Sequence, residues 1–225
     1  MFTAHTKINQ LDVGSKKVSS NNDICLIEKH HMIRFQSHEW TISATSQFSE
    51  YLIQGLMYDQ LGVLHPLIIS NSDTNHYDVD VKSTENYPPL TVISPKNLQH
   101  DQIISWVKSF KSQQTLYHQT GATQSAGFVT ADGKVLTFEC LNLTTCLYKL
   151  MGCLIKKHQE YAPTLLLSHR VLEGDVDLIL KFNPQLLICQ SAISANALEK
   201  LKAEEITVFG FCRKNKYNRY SNFHL

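Results

Sequence analysis

Residues 120–152 read TGATQSAGFVTADGKVLTFECLNLTTCLYKLMG. Ala131, Asp132, Gly133 and Lys134 lie between the apolar pairs Phe128-Val129 and Val135-Leu136. Asp-Gly supplies the positive φ angles of a tight hairpin turn, so two antiparallel strands are expected on either side of it. Beyond Glu139, Leu143, Leu147, Leu150 and Leu154 recur at steps of four, three and four. That spacing predicts a helix with one apolar face, and Lys156 and Lys157 suit its C-terminal end. The helix should pack on the sheet that the hairpin begins.

Downstream the rhythm repeats. Residues 164–167, 186–189 and 206–211 are short apolar runs with strand character, while 172–182 and the segment from Ser194, a helix cap, to about 204 read as helices. Strands alternating with helices imply a parallel sheet with right-handed crossovers and helices on both faces, hence an α/β fold. Upstream, 98–117 forms a helix with Ile103, Trp106, Val107 and Phe110 buried, ended by Thr120-Gly121. A second helix begins at Ser46, with Phe48, Tyr51, Leu52, Leu56 and Met57 on one side. Gly55 inside it costs about 1 kcal/mol relative to alanine, which points to close packing against another element. Residues 24–27, 32–35 and 40–43 suggest an antiparallel meander, followed by strands at 64–70 and 77–81. His30-His31 reads as a turn; neighbours on a strand point to opposite faces and would not share a metal. The polar residues 1–22 are expected as a loose arm, 23–88 as a smaller N-terminal α+β portion and 89–225 as the main domain, divided near Pro88-Pro89.

With 225 residues, 43% hydrophobic and 18% charged, the chain can bury a sizeable core, which excludes disorder as its main character. A net charge of +1 gives no general attraction to nucleic acid or anionic membrane, so any charged ligand must be held by a local cluster. Neither a secretion signal nor a membrane span is legible at the polar N-terminus, and a cytoplasmic location is expected. The cysteines Cys25, Cys140, Cys146, Cys153, Cys189 and Cys212 form no C-x-x-C pair, and they read as reduced and mostly buried. A zinc site from Cys140, Cys146 and Cys153 would need closer paired ligands than these spacings give, so no metal is expected.

Ligands of parallel α/β sheets collect beyond the carboxyl ends of the strands, where helix N-termini offer free amides. Three such ends are readable: Ser168-His169-Arg170, Ser191 to Ser194, and the basic aromatic run from Phe211 to Tyr220. Arg170 or Arg213 can pair with a phosphate, and Tyr217 or Tyr220 can stack on a base. The plainer alternative is that the serines are helix caps and the basic run a solvated face.

Three motifs in order resemble the formate dehydrogenase accessory sulfurtransferase family, FdhD, over about residues 113–220, with fainter similarity at 24–63. Gln114-x-Leu116-Tyr117-x-x-Thr120-Gly121-Ala122, followed by Ala126, is similar to Q-x-L-F-x-x-T-G-G-x-H-x-A. Ser191-Ala192-x-Ser194 with Ala197 is similar to S-A-P-[ST]-x-x-A, and Gly210-Phe211-x-Arg213-x-x-x-Tyr217-Asn218-x-Tyr220 to G-F-x-R-x-x-x-[FY]-N-x-Y. The resemblance implies a cytidine-deaminase-like three-layer core and a homodimer. It also implies passage of sulfur from a cysteine desulfurase to the bis-molybdopterin guanine dinucleotide cofactor of formate dehydrogenase. Together with the strand-end reading it assigns binding of that cofactor, or of GDP, to Thr120, Gly121, Ser168, Arg170, Ser191, Ser194, Arg213, Tyr217 and Asn218.

The sulfur chemistry of that family needs a C-G-x-C-G loop, whose thiolate accepts sulfur as a persulfide and releases it by exchange. No cysteine lies between Val63 and Gln113. Where the family reads E-D-V-G-R-H-N-A-x-D-K-x-x-G, only Glu139, Lys149 and Gly152 match. The family's T-G-G-x-H is here Thr120-Gly121-Ala122-Thr123-Gln124, and its S-G-R-x-S is Ser168-His169-Arg170-Val171-Leu172. Two functions follow: an accessory protein of molybdenum cofactor maturation, by sulfur transfer or cofactor carriage, or an inactive binder of the nucleotide. Relocation of the carrier thiol to Cys140 or Cys146 is opposed by their apolar neighbours Leu141, Leu143 and Leu147. A zinc deaminase would need H-x-E and P-C-x-x-C, and neither occurs.

Overall fold

The computed structural model describes residues 3–12, 17–45, 49–63, 65, 67–73, 75–81, 99–157 and 161–223. The chain begins with β1 (Thr3–Asp12) and β2 (Lys17–Leu26), an antiparallel ribbon. Then come β3 (Glu28–Phe35), β4 (His38–Thr45), α1 (Glu50–Leu61), β5 (Leu67–Asp73) and β6 (His76–Val81). After α2 (His100–Ser112) and α3 (Thr115–Thr120) follow β7 (Gln124–Thr130), β8 (Val135–Cys140), α4 (Leu143–Lys157) and β9 (Tyr161–Leu167). A 3-10 turn (Glu173–Asp175) leads into α5 (Val176–Leu180), β10 (Leu186–Cys189), α6 (Ala195–Ala203), β11 (Thr207–Arg213) and β12 (Lys216–Arg219).

The later strands form one six-stranded sheet in the order β12-β11-β10-β9-β7-β8. β10 runs parallel to both β9 and β11, as the alternating elements require, with Leu187 opposite Leu165 and Val208. The flanks are antiparallel: β7 against β9 and β8, and β12 against β11. Side chains alternate across the sheet as strand geometry dictates. Leu165, Leu167, Leu187 and Val208 face the helices α4, α5 and α6, whereas Leu166, Ile188 and Phe209 face the buried stripe Ile103, Trp106, Val107 and Phe110 of α2. At the hairpin, Gly133 alone takes the left-handed conformation, with φ of 79°, and its N–H donates to the Thr130 carbonyl. The expectation of positive φ at both turn residues is therefore corrected at Asp132.

Helix α4 is buried on nearly every side because two layers meet on it. One side lies on the six-stranded sheet; the other crosses α1, beyond which sits a four-stranded sheet in the order β4-β3-β6-β5. Gly55 and Gly152 make the crossing. A Cβ at Gly55 would lie 2.0 Å from the Tyr148 carbonyl oxygen, and one at Gly152 would lie 1.9 Å from that of Tyr51. Both helices thus approach backbone to backbone, which explains the costly glycine in α1.

Several expectations are corrected. Residues 1–22, read as a loose arm, contribute β1 and most of β2 over their described positions. The expected meander of 24–27 with 32–35 does not form: 24–26 pair with β1, while β3 pairs with β4 and, in parallel, with β6. His30 and His31 are inside β3 and not at a turn, with His30 exposed and His31 buried. The helix expected across 98–117 is two, broken at Gln113-Gln114, and the tail after Phe211 turns back as β12. The division placed near residue 88 and the expected helix start at 46–48 lie outside the described residues. No described helix is long and apolar enough to cross a membrane.

Candidate functional site

Parallel pairing sets the ends of β9, β10 and β11 at one edge of the sheet, beside the C-terminal part of α2. A cleft of about 520 Å³ opens there. Its floor is made by the buried residues Val107, Gln114, Thr123 and Cys212, with the half-buried Ser168, His169, Gln190 and Ser191. Its mouth carries the exposed cations Lys108, Lys111, Arg213 and Lys214, and no carboxylate lines it among the described residues. Tyr117 stands at its edge, 46% exposed although aromatic.

A bulge shapes the β11 side. The register shifts between Gly210 and Arg213, and Phe211 takes φ of 53°, a left-handed conformation that is strained for a bulky residue. Its N–H donates to the Ser191 carbonyl at 3.0 Å, which fixes the bulge against the end of β10. Regular alternation would put Cys212 on the face of Val208. The extra residue moves it to the α2 face with Phe209, and Arg213 follows it at the cleft mouth. The Arg213 guanidinium lies 5.6 Å from the Phe211 ring centre, a cation–π contact.

Glu139 of β8, itself outside the lining, braces the wall that carries Tyr117 and Thr123. Its carboxylate accepts the N–H groups of Leu116 at 2.9 Å and Tyr117 at 2.8 Å, and the hydroxyls of Thr115 at 3.3 Å and Thr123 at 3.0 Å. One acidic side chain thus holds both ends of segment 115–123. Of the three matches to the family's charged loop, Glu139 makes this clamp. Lys149 donates to the Glu139 carbonyl at 3.3 Å, and Gly152 makes the helix crossing. All three have architectural duties.

Of the residues predicted to bind a ligand, the fold brings Ser168, Ser191 and Arg213 together in the cleft. Ser168 Oγ accepts the Ser125 N–H at 2.7 Å. The others lie elsewhere. Thr120 Oγ1 donates to the Leu116 carbonyl and accepts the Ala122 N–H, and Gly121, with φ of 65°, ends α3. Arg170 is exposed outside the lining. Ser194 caps α6 by accepting the Ala197 N–H at 3.3 Å, the plainer of its two readings. Tyr217 packs 4.6 Å from Phe209 with its hydroxyl 2.9 Å from His100 Nδ1, and Asn218 pairs opposite Gly210 in β12. Lys108, Lys111, Gln114 and Gln190 were not legible as site residues: the lysines read as the solvent face of α2, Gln114 was read only as the first position of a family motif, and Gln190 is a neutral amide without a motif.

Five cysteines are buried and Cys25 is exposed. Burial pushes the Cys189 and Cys212 thiols up to about 12 and raises Cys146 and Cys153 above their ordinary value. Cys146 donates to the Gln124 carbonyl at 3.1 Å and Cys189 to the His169 carbonyl at 2.9 Å. Such thiols are not thiolates at neutral pH.

Known proteins share this fold. A formate dehydrogenase accessory protein, so described, of Desulfotalea psychrophila superposes with a TM-score of 0.79 over 99% of this chain and 98% of its own, at 13% identity, a likeness of fold. The sulfur carrier protein FdhD of Shewanella oneidensis is 27% identical over 136 residues, covering 60% of this chain and 49% of the relative. That of Bordetella parapertussis is 30% identical over 122 residues, 53% of this chain and 44% of the relative. The chain therefore spans about half the length of these curated relatives. The model of the FdhD/NarQ family matches residues 69–224, which takes in the six-stranded sheet, the cleft and the Glu139 clamp, and the chain belongs to that family.

Proposed function

We propose that this protein serves formate dehydrogenase maturation by holding a guanine nucleotide, or the guanylyl part of a molybdopterin cofactor passed on as cargo, without carrying sulfur on a cysteine. The observation that carries the reading is the cleft at the shared ends of β9, β10 and β11, with Lys108, Lys111, Arg213 and Lys214 at its mouth and no carboxylate in its described lining. Four cations placed together attract phosphate oxygens even in a chain of net charge +1, and arginine can pair with two of them. The helices on both faces of the six-stranded sheet support the cytidine-deaminase-like three-layer frame. The relatives' names support a place in the formate dehydrogenase pathway; the cytoplasmic location, the homodimer and the meeting with a cysteine desulfurase and formate dehydrogenase are part of the proposal and follow from the sequence resemblance.

Sulfur carriage is left out on chemical grounds. A carrier needs an accessible thiolate, and the C-G-x-C-G loop that supplies it in the family is absent from this sequence. The one exposed thiol, Cys25, sits in the β1–β2 ribbon. Calorimetric titration tests the reading: GDP should bind more tightly than ADP, and Lys111→Ala with Arg213→Ala should weaken GDP by about 2–5 kcal/mol, two charged hydrogen bonds. Absence of GDP binding, or equal binding by that double variant, would remove the nucleotide reading. In parallel, incubation with a cysteine desulfurase and cysteine should leave the intact mass unchanged. A reducible added sulfur atom at one equivalent would restore sulfur carriage.

A further inference from the structure

We infer that the cleft takes its ligand ring first, with the side-chain amides of Gln114 and Gln190 reading the edge of a planar heterocycle and the phosphates left at the cationic mouth. The inference rests on the nucleotide reading of the cleft and adds the ligand's orientation and the residues that select its ring.

Gln114 is 2% exposed, yet it lines the cleft. Its Nε2 donates to Gln190 Oε1 at 3.2 Å, and neither side chain makes another hydrogen bond among the described residues. An amide group holds two donor hydrogens and an acceptor oxygen. The pair therefore leaves over one carbonyl oxygen, on Gln114, and one NH2, on Gln190. If both amides are turned over, the pair still leaves over one of each, so the conclusion does not depend on the assignment of oxygen and nitrogen. A donor together with an acceptor is what the edge of guanine, a pterin or adenine needs, whereas phosphate oxygens only accept. The four cations are exposed and the amides are at the floor, so charge and ring have separate places. Val107 and Cys212 supply the apolar floor around the amides, and the exposed ring of Tyr117 stands beside them. A ligand that completes both amides gains selectivity because a mismatched edge leaves them unpaired.

The test compares GDP, ADP and inorganic pyrophosphate on the unaltered protein, on Gln190→Leu and on Gln114→Leu, with thermal melting to establish folding. Gln190 is only half-buried, so its variant keeps the test open if Gln114→Leu misfolds. One of the two nucleotides should bind about tenfold or more tighter than pyrophosphate, and Gln190→Leu should erase that margin while pyrophosphate affinity stays unchanged. Lys111→Ala should do the reverse, weakening nucleotide and pyrophosphate alike. ADP as the tighter nucleotide would overturn the guanine reading and keep the edge reading. Pyrophosphate binding as tightly as both nucleotides, or a Gln190→Leu loss shared equally by pyrophosphate, would overturn the inference and keep the anion cleft. Binding of none of the three would overturn both.

Discussion

At the scale of single residues, Glu139 decides whether the cleft has a wall. Two backbone N–H groups and two hydroxyls converge on its carboxylate, and an amide in its place would turn an NH2 toward one of those donors. Glu139→Gln should destabilise the fold by about 1–3 kcal/mol, read as a lower midpoint in urea, because it leaves a part-buried N–H facing a donor. Hydrogen exchange at Leu116 and Tyr117 should quicken more than at Val129, in the neighbouring strand. Uniform exchange would show that segment 115–123 is held by other contacts. Glu139 was legible as a match to a family pattern but not as a clamp, since its partners lie 16 to 24 positions away. Ser168, Ser191 and Arg213 were legible because strand ends of a parallel sheet share an edge. Arg170 and Tyr217 were misplaced for local reasons: Arg170 is exposed outside the lining, and β12 returns Tyr217 to the face of Phe209. The turn into β12 is made by Lys214 and Asn215, left-handed with φ of 52° and 59°, and the lysine gives no hint of it.

At the scale of elements, the crossing of α1 and α4 is the tightest packing decision in the chain. Alanine in a helix interior is ordinarily better than glycine by about 1 kcal/mol. Here the added methyl would meet a carbonyl oxygen at 1.9 Å for Gly152 and 2.0 Å for Gly55, so the helices must separate. Gly152→Ala should therefore lower stability by about 1–3 kcal/mol or more, the opposite sign from propensity alone, and a gain in thermal midpoint would sink this account. The sequence pointed to close packing at Gly55, but its partner became visible only once α4 was in place. A polar contact fastens the same pair. Burial would raise the Asp59 carboxyl, but hydrogen bonds from Lys181 at 2.5 Å, Gln60 at 2.5 Å and Tyr148 at 2.9 Å outweigh it and hold the group below its ordinary value of 3.8. A lowered folded value means that the unfolded chain takes up the proton first. The stabilisation is complete above the ordinary carboxylate range and disappears as pH falls through the lowered value. Melting midpoints measured from pH 7 down to about 2.5 should fall more steeply below pH 4 in the unaltered protein than in Asp59→Asn; parallel curves would mean that Asp59 adds nothing.

At the scale of the whole molecule, alternation of strands and helices was enough to foresee three parallel strands and helices on both faces of their sheet. It could not foresee how the four-stranded sheet is attached, because that depends on which side of α4 remains uncovered after the six-stranded sheet is laid down. The answer is one continuous apolar region: Ile33 and Phe35 of β3, Leu52 and Leu56 of α1, Leu147 and Leu154 of α4, and Leu165 and Leu187 of the larger sheet belong to it together. Removing the four-stranded sheet and α1 would expose the outer side of α4, whose residues are buried almost all round. At about 25 cal/mol for each Å² of apolar surface returned to water, exposing several large side chains costs many kcal/mol, a substantial part of the stability of an ordinary domain. The two sheets should therefore unfold in one step. The chain carries two tryptophans that report on them separately: Trp40 lies in β4, and Trp106 lies on α2, where its Nε1 donates to the Gly133 carbonyl at 3.1 Å. In Trp106→Phe only the four-stranded sheet fluoresces, and in Trp40→Phe only the α2 face does. Once each variant's own stability change is removed by comparison with far-ultraviolet circular dichroism of the same sample, both fluorescence transitions should coincide with loss of secondary structure. A Trp40 transition completed at lower urea than the circular dichroism change would divide the molecule into two separately stable layers, with the cleft on the layer that persists.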